Sequence, residues 1–297
     1  MVKIGIIGAG SVGGAIASRI VADNLGRELV LIDTDAPRVR AAALDLSHAA
    51  AFGRGMKITA GKYENLGDAD IVIISAGANQ KTGQSRTELV ERNAMVMLDV
   101  VPKIMSAADR KKIILIVVSN PLDSMVMAAQ KISNLPAGRV IGTGTMLDTA
   151  RLRHELSRRF NVSASAVDAY VLGEHGDSSV VNWTSARIGG LPPEVADKRK
   201  REIEKRVRGA AMDIILGRGA TWDGIAAAAA DLVRCIANDE RRILPVSIVD
   251  RRVAYSMPRI VGAGGVSATI MPAMDGSERA ALRASIDAIK KNYEIVK

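Results

Sequence analysis

A chain of 297 residues with 48% hydrophobic content and only 3% aromatics can core one large domain or two ordinary ones with Ile, Val, Leu, Ala and Met, and is excluded from global disorder. Its single cysteine, Cys235, excludes an internal disulfide and reads, within Leu232-Val233-Arg234-Cys235-Ile236, as a small apolar core residue. The net charge of +9, from 41 Lys+Arg against 32 Asp+Glu, allows a nucleic-acid surface or a field that concentrates anionic ligands. No run of about 18 apolar residues suggests a membrane span, and the first residues enter a strand without the regions of a signal peptide. A cytoplasmic protein with no membrane or nucleic-acid partner is the expectation.

Lys3-Ile4-Gly5-Ile6-Ile7 is nearly continuous in apolar character, as a buried parallel strand is. It runs into Gly8-Ala9-Gly10-Ser11-Val12-Gly13, after which Val12, Ile16 and Ile20 recur at helical spacing. Glycines at such a strand-to-helix turn have separate uses. The first permits the tight turn, the second lets backbone approach a pyrophosphate, and the third lets the helix pack closely, its amino terminus facing the phosphates. A second strand, Glu28-Leu29-Val30-Leu31-Ile32, ends in Asp33. A carboxylate there accepts ribose hydroxyls and repels a 2′-phosphate, and Thr34 offers no offsetting cation. The pattern favours NAD over NADP.

Apolar strands follow at Ile71 to Ile74 and Ile113 to Val118, with helical segments at Pro37 to Ala51 and Glu88 to Ala108. This alternation predicts a doubly wound parallel sheet that binds ligands at the carboxyl ends of its strands. Those ends carry Ser75-Ala76-Gly77-Ala78 and Ser119-Asn120-Pro121, which places the Asn120 amide at the crevice. The polar stretch Asn79 to Arg86, with Gly83 inside it, reads either as a loop that closes over the crevice or as ordinary surface.

From Gly142 onward the pattern changes to longer helices and short strands, an α+β arrangement. Arg151 to Arg159 is basic and helical. Val180 to Ile188 suits either strand or helix, Leu191-Pro192-Pro193 is a turn, Ala226 to Ala237 a helix and Val246 to Val249 a strand. The basic run Lys198 to Arg208 carries Ile203, Val207, Ala211, Ile214 and Ile215 near helical period, which favours a solvated helix face over a nucleic-acid site. Leu282, Ile286, Ile289 and Tyr293 mark a last amphipathic helix. One of only three histidines sits in Gly173-Glu174-His175-Gly176-Asp177, just after an apolar run. Its ring can exchange a proton near neutral pH, but on spacing alone a structural role in a turn is the favoured reading.

Six ordered stretches together resemble the L-lactate/malate dehydrogenase family, the lactate branch in particular. They are the glycine loop Gly8 to Gly13, Ala78-Asn79-Gln80-Lys81 through Arg86, Ser119 to Asp123, Gly142 to Arg151, Gly173 to Ser178 and Gly219-Ala220-Thr221. The resemblance covers essentially the whole chain. It implies a Rossmann-type doubly wound sheet over residues 1–142 that binds NAD, an α+β substrate domain over 143–297, and a homodimer or homotetramer without a metal. The implied reaction is the reversible NADH-dependent reduction of pyruvate to L-lactate, a step of glycolysis. His175 is the implied proton donor and acceptor, and Asp148, on the segment before a helix, orients its ring. Arg151 grips the substrate carboxylate, Arg86 arrives on the closing loop to polarise the carbonyl, and Asn120 contacts substrate and cofactor. Cofactor contacts are implied at Gly8, Gly10, Ser11, Val12, Gly13, Asp33, Ala76, Gly77, Asn120 and Ile225.

Gln80 stands where the family distinguishes lactate enzymes, with glutamine, from malate enzymes, with arginine. Burying a second substrate carboxylate beside a neutral amide costs several kcal/mol, and about 1.4 kcal/mol is already tenfold. Thr221 on the opposite wall is small and uncharged, which suits a methyl group. Three departures are evident. Thr82 replaces a frequent proline, and Asp223 follows Trp222 where relatives carry two aromatics, placing an acid near the nicotinamide pocket. Arg153 matches one half of a fructose 1,6-bisphosphate site, but Asp168 replaces the histidine of the other half, so no activation by that sugar is expected. The rival readings are a malate or broad-specificity 2-hydroxy-acid dehydrogenase and a non-catalytic NAD-binding scaffold.

Overall fold

The computed structural model describes residues 1–78 and 86–294, Arg86 and Thr87 by backbone alone. The almost wholly apolar segments Lys3–Ile7 (β1), Glu28–Ile32 (β2), Ile71–Ile74 (β4) and Ile114–Val117 (β5), with the more polar edge strand Lys57–Ala60 (β3) and Val140–Gly142 (β6), are all parallel. Their order, β3-β2-β1-β4-β5-β6, reverses direction between β1 and β4. A doubly wound sheet opens its crevice at that reversal, beyond the carboxyl ends of the two strands.

The strands are apolar on both faces because both faces are covered. Ile4, Ile6, Leu29, Leu31, Ile71 and Ile73 point to the side packed by Ser11–Ala22 (α1), Ala36–Ala50 (α2) and, from late in the chain, Asp223–Ala237. Their neighbours Ile7, Val30, Val72, Ile74, Leu115 and Val117 point to the side of Arg86–Ala107 (α3), Leu122–Ser133 (α4) and the final helix Gly276–Glu294. This period-two division makes each strand read as an unbroken apolar run.

Beyond β6 the chain forms Met146–Phe160 (α5), the short strands Val167–Asp168 (β7), Val171–Leu172 (β8), Val180–Val181 (β9) and Arg187–Ile188 (β10), and Asp197–Arg218 (α6). Leu152, Leu156, Val171, Ile203 and Val207 gather these into a separate core. Asp223–Ala237 is α7, and Arg242–Asp250 (β11), Val253–Gly262 (β12) and Gly265–Thr269 (β13) form an antiparallel meander before α8, Gly276–Glu294. The meander extends the large sheet through one pair, Ser247 opposite Gly142. Pro245 faces Pro258 inside it. Their carbonyls point outward, to the Thr145 and Ile270 N–H groups, so the two prolines meet where the ladder exchanges no hydrogen bond.

Four expectations are refined here. Helix α5 starts at Met146, so Asp148 lies inside its first turn rather than ahead of it. Val180 to Ile188 resolves into two strands with different partners, β8 for β9 and β7 for β10. Helix α4 and the strands β12 and β13 add elements that local pattern did not announce. On α6, Ile203 and Val207 are buried, but Ile214 and Ile215 are exposed, because the apolar stripe outruns the core beneath it. The basic run itself lies along solvent. Arg199 pairs with Glu202, Lys200 with Asp197, Arg208 with Glu204, and Arg206 with Glu155 of α5. Among the described residues no helix is long and apolar enough to cross a membrane.

The turn from β1 into α1 is the tightest point of the fold. A Cβ on Gly13 would stand 1.9 Å from the Gly8 carbonyl oxygen and 2.7 Å from Ser75 Oγ, both across the turn. A Gly13→Ala variant must therefore push α1 off the sheet, at about 1–3 kcal/mol of overpacking. The expected outcome is a lower urea midpoint in equilibrium unfolding, together with weaker NADH binding; an unchanged midpoint would show that the turn tolerates a side chain.

Candidate functional site

The crevice begins at the glycine loop. Gly8 has φ +96°, and a Cβ there would meet the Ala76 nitrogen at 2.6 Å, so only glycine brings β1 and β4 this close. Gly10 differs: nothing lies within 4 Å of where its Cβ would be, and its φ of −72° is ordinary. The vacant space faces the amino terminus of α1, which has no acidic residue in its first turn and no side-chain cap. Uncapped N–H groups and an open approach are what a pyrophosphate needs, so the residues present fit the dinucleotide. Asp33, at the end of β2, accepts the Ala9 N–H at 2.6 Å and the Asp35 N–H at 3.0 Å. The loop and the carboxylate at the end of β2 are thus tied together.

The loops after β4 and β5 are joined by a residue that the sequence reading passed over. Asn93 of α3, almost fully buried, accepts the Ala78 N–H at 2.7 Å and donates to the Asn120 carbonyl at 2.6 Å and the Ala78 carbonyl at 3.2 Å. Ser119 Oγ donates to the Ala76 carbonyl at 2.6 Å. Ala76, Gly77 and Asn120 therefore share one wall of the crevice, and the Asn120 side of it is exposed. A local signal existed: Asn93 falls on the stripe Val90, Ala94, Met97 and Val101, where a polar side chain has to have partners. Gln80, Thr82 and Gly83, and the loop 79–85 as a whole, lie outside the described residues, as does the Arg86 side chain at the start of α3.

On the far side the chain brings His175, Asp148 and Arg151 together. His175 Nδ1–H donates to Asp148 Oδ2 at 2.6 Å, and Arg151 Nη1 donates to Asp148 Oδ1 at 3.0 Å. With Nδ1 committed to the carboxylate, Nε2 is the nitrogen left for a substrate proton. Gly173, at φ +84°, exchanges backbone hydrogen bonds with Ser256, and a Cβ there would strike Ser285 Oγ at 2.5 Å. β8 hangs on α5 through Thr145 Oγ1 to the Val171 carbonyl and the Val171 N–H to Thr149 Oγ1. A second buried carboxylate, Asp123 of α4, accepts the His175 N–H at 2.9 Å and the Ser247 hydroxyl at 2.6 Å.

Electrostatics follow from this geometry. Burial disfavours the imidazolium of His175, but the charge and hydrogen bond of Asp148, helped by Asp123, outweigh burial and hold its pKa above the usual 6.5. Burial also opposes ionisation of Asp148, and there His175 and Arg151 win, so its pKa is lowered. Among the described residues no cation is in direct contact with Asp123, and burial pushes it up to about 6 against the pull of its hydrogen bonds.

Thr221 and Ile225 flank the amino terminus of α7, both half-buried, Ile225 packed on the α1 side of the sheet. Asp223, expected as an acid near the nicotinamide pocket, is paired with Arg218, whose guanidinium also lies 3.8 Å from the Trp222 ring centre. The pair removes most of the local negative charge. Trp222 and Asp223 share an open groove with Gly10 and Ser11.

A doubly wound sheet with an uncapped helix amino terminus at its crevice, an Asp33 carboxylate tied to the glycine loop and a buried histidine–carboxylate pair is the architecture of an NAD-dependent oxidoreductase. The family described as lactate/malate dehydrogenase, NAD binding domain, matches residues 2–142, and its alpha/beta C-terminal domain matches 145–297. The L-lactate dehydrogenase of Thermus aquaticus is 43% identical over 303 residues, covering 97% of each chain, and L-lactate dehydrogenase A of Rhizopus oryzae is 40% identical, covering 97% of this chain and 91% of its own. Among solved structures, a lactate dehydrogenase from a Medee basin deep-sea metagenome library superposes with a TM-score of 0.95 at 38% identity, covering 99% of this chain and 98% of that one. The minor L-lactate dehydrogenase of Enterococcus mundtii does so with the same score at 34% identity and the same coverage. The chain belongs to the lactate/malate dehydrogenase family.

Reduction of an oxo acid consumes a proton, so kcat/KM for reduction should fall as pH rises through the raised pKa of His175. In an Asp148→Asn variant the fall should move to lower pH, because the charge that raises that pKa is gone. The stability the His175–Asp148 pair confers has the same sign: complete below the unfolded histidine pKa of about 6.5 and lost as pH rises through the folded value. Rate–pH profiles of the two proteins decide the matter; coincident profiles would refute the assignment of Asp148.

Proposed function

We infer that the protein is an L-lactate dehydrogenase that reversibly reduces pyruvate to L-lactate. One observation carries the reading: a single carboxylate, Asp148, holds both His175 and Arg151. A proton donor and a guanidinium fixed side by side suit a substrate whose reacting oxygen sits one carbon from its carboxylate, which describes a 2-oxo acid. Arg151 grips the carboxylate with its planar fork and sets which face of the carbonyl is presented. His175 delivers the Nε2 proton to the carbonyl oxygen, and Asp148 keeps the ring in place as its charge is lost. Asn120 donates to the same oxygen, and Arg86 adds a second positive group that stabilises the charge developing there. Bound NADH supplies the hydride.

Gln80 and Thr221 select the tail. A neutral amide and a small hydroxyl accommodate a methyl group and leave the second carboxylate of oxaloacetate unpaired. The curated relatives, named L-lactate dehydrogenases, support the same choice. The division of the chain at residues 142 and 143 into cofactor and substrate domains belongs to this reading and is supported by the change from parallel sheet to antiparallel meander at Gly142. So does a homodimer or homotetramer. Phe52, 96% exposed, and Leu44 on α2, with Met212 and Leu216 on α6, are apolar surface that one chain leaves in water.

A substrate panel with NADH and NADPH tests the reading directly. Pyruvate should be reduced with higher kcat/KM than oxaloacetate or 2-oxoisocaproate, and NADH should be preferred; a faster rate with oxaloacetate would overturn the lactate assignment. His175→Ala should still bind NADH but lose roughly 10²- to 10⁴-fold in turnover, the range of general acid–base catalysis. Fructose 1,6-bisphosphate should leave KM unchanged. Arg153 lies 3.9 Å from the Asp168 carboxylate and 5.4 Å from the Tyr170 ring, so an internal acid already faces the arginine that a phosphate would need.

A further inference from the structure

Asp123 is a carboxylate only 4% exposed that has no assigned part in the proton transfer or the substrate contacts above. It sits in the first turn of α4, where the helix dipole favours a negative charge, and its two oxygens are divided between distant segments. Oδ2 accepts the backbone N–H of His175 at 2.9 Å, and Oδ1 accepts the Ser247 hydroxyl of β11 at 2.6 Å. We propose that Asp123 is a positioning residue for His175 and a second negative charge behind it, so that the proton affinity of the histidine is set by two carboxylates, one at the ring and one at the backbone. The inference rests on His175 being the proton carrier.

The geometry explains why a carboxylate is placed there. Asp123 lies three residues after Asn120, Asn120 on the connection from β5 and Asp123 in the first turn of α4 that it leads into. Bonding the His175 N–H to this turn locks the segment that carries the amide to the segment that carries the imidazole. Those are the two groups that must meet one substrate oxygen. The neighbouring backbone is pinned as well: Gly173 by Ser256, and the Glu174 N–H by Ser285 Oγ at 2.8 Å. With Asp148 on the ring, the histidine is held at both its backbone and its side chain.

A neutral acceptor of the same shape would serve for position alone. A charge does more. Among the described residues, the ionisable groups that act on His175 and Asp123 are Asp148 and Arg151 of α5, Glu174 beside the histidine, and Arg259 of β12. Arg151 and burial disfavour the imidazolium, whereas Asp148 and Asp123 favour it. Glu174 pushes the Asp123 proton affinity up, and Ser247 and His175 draw it down. Asp123 therefore titrates close to the pH range in which the histidine works. As it takes up a proton on the acid side, the second charge disappears and the imidazolium loses support.

Asp123→Asn preserves the shape and one carbonyl acceptor and removes the charge. With NADH and pyruvate, the pH at which kcat/KM falls should move down by about half a unit or more, the scale expected when one nearby charge is deleted. NADH affinity and thermal midpoint should stay near wild type. A folded, NADH-binding variant with an unshifted profile overturns the proposal and reduces Asp123 to a structural hydrogen-bond acceptor. Should Asp123→Asn fail to fold, Ser247→Ala removes a hydrogen bond that keeps Asp123 ionised, and a smaller shift in the same direction is expected; an unshifted profile there is equally fatal. A wild-type protein that does not reduce pyruvate, or a His175→Ala variant that retains turnover, would instead overturn the functional reading itself.

Discussion

A carboxylate enclosed by protein is stable as an ion only when its lone pairs are taken up, and Asp148 is taken up on one oxygen by an imidazole and on the other by a guanidinium. Much of the second half of the molecule exists to bring those two groups to it. Helix α5 supplies Asp148 and Arg151 from adjacent turns of one face, where i,i+3 neighbours meet. The His175 segment is suspended from α5 by Thr145 and Thr149, and Gly173 closes against Ser256 and Ser285. Remove any of the three charges and the other two are left buried with an incomplete set of partners.

The first half imposes a constraint of a different kind, steric rather than electrostatic. The reversal of strand order between β1 and β4 makes a gap at one end of the sheet, and the helix that follows β1 must enter it at close quarters. Asn93 then ties the β4 and β5 loops into one wall. The glycine loop, Asp33 and Asn120 are thus held on fixed ground at one end of the sheet. The chemistry is carried by a few side chains on short turns, and the sheet sets where those turns begin.

Much of this was legible in residue order because it is local. Unbroken apolar strands, a glycine turn of fixed spacing and a carboxylate at the next strand end all express their physics within a few residues. What escaped notice depends on distant partners. Asp123 reads as an ordinary acid near a helix start; its meaning lies 52 residues away at His175 and 124 away at Ser247. β12 was obscured by Pro258, which is tolerated because it meets Pro245 where the ladder exchanges no hydrogen bond. Asp223 reads as an acid near the nicotinamide pocket; its partner, Arg218, stands at the end of the preceding helix. The stripe on α6 ran past the core that was to cover it, because periodicity reports a helix's faces but not the extent of its neighbours.

The glycines of the β1–α1 turn are interchangeable as letters but not in what they answer to. Gly13 has backbone pressed against the space of its missing side chain, whereas Gly10 has nothing there. Folding alone is enough to retain the first, with or without a cofactor. Only a ligand gives a reason to retain the second. A descendant of this chain that had given up its dinucleotide would be free to drift at Gly10 while Gly13 stayed fixed, so the state of those two positions is a record of whether a lineage still uses the crevice.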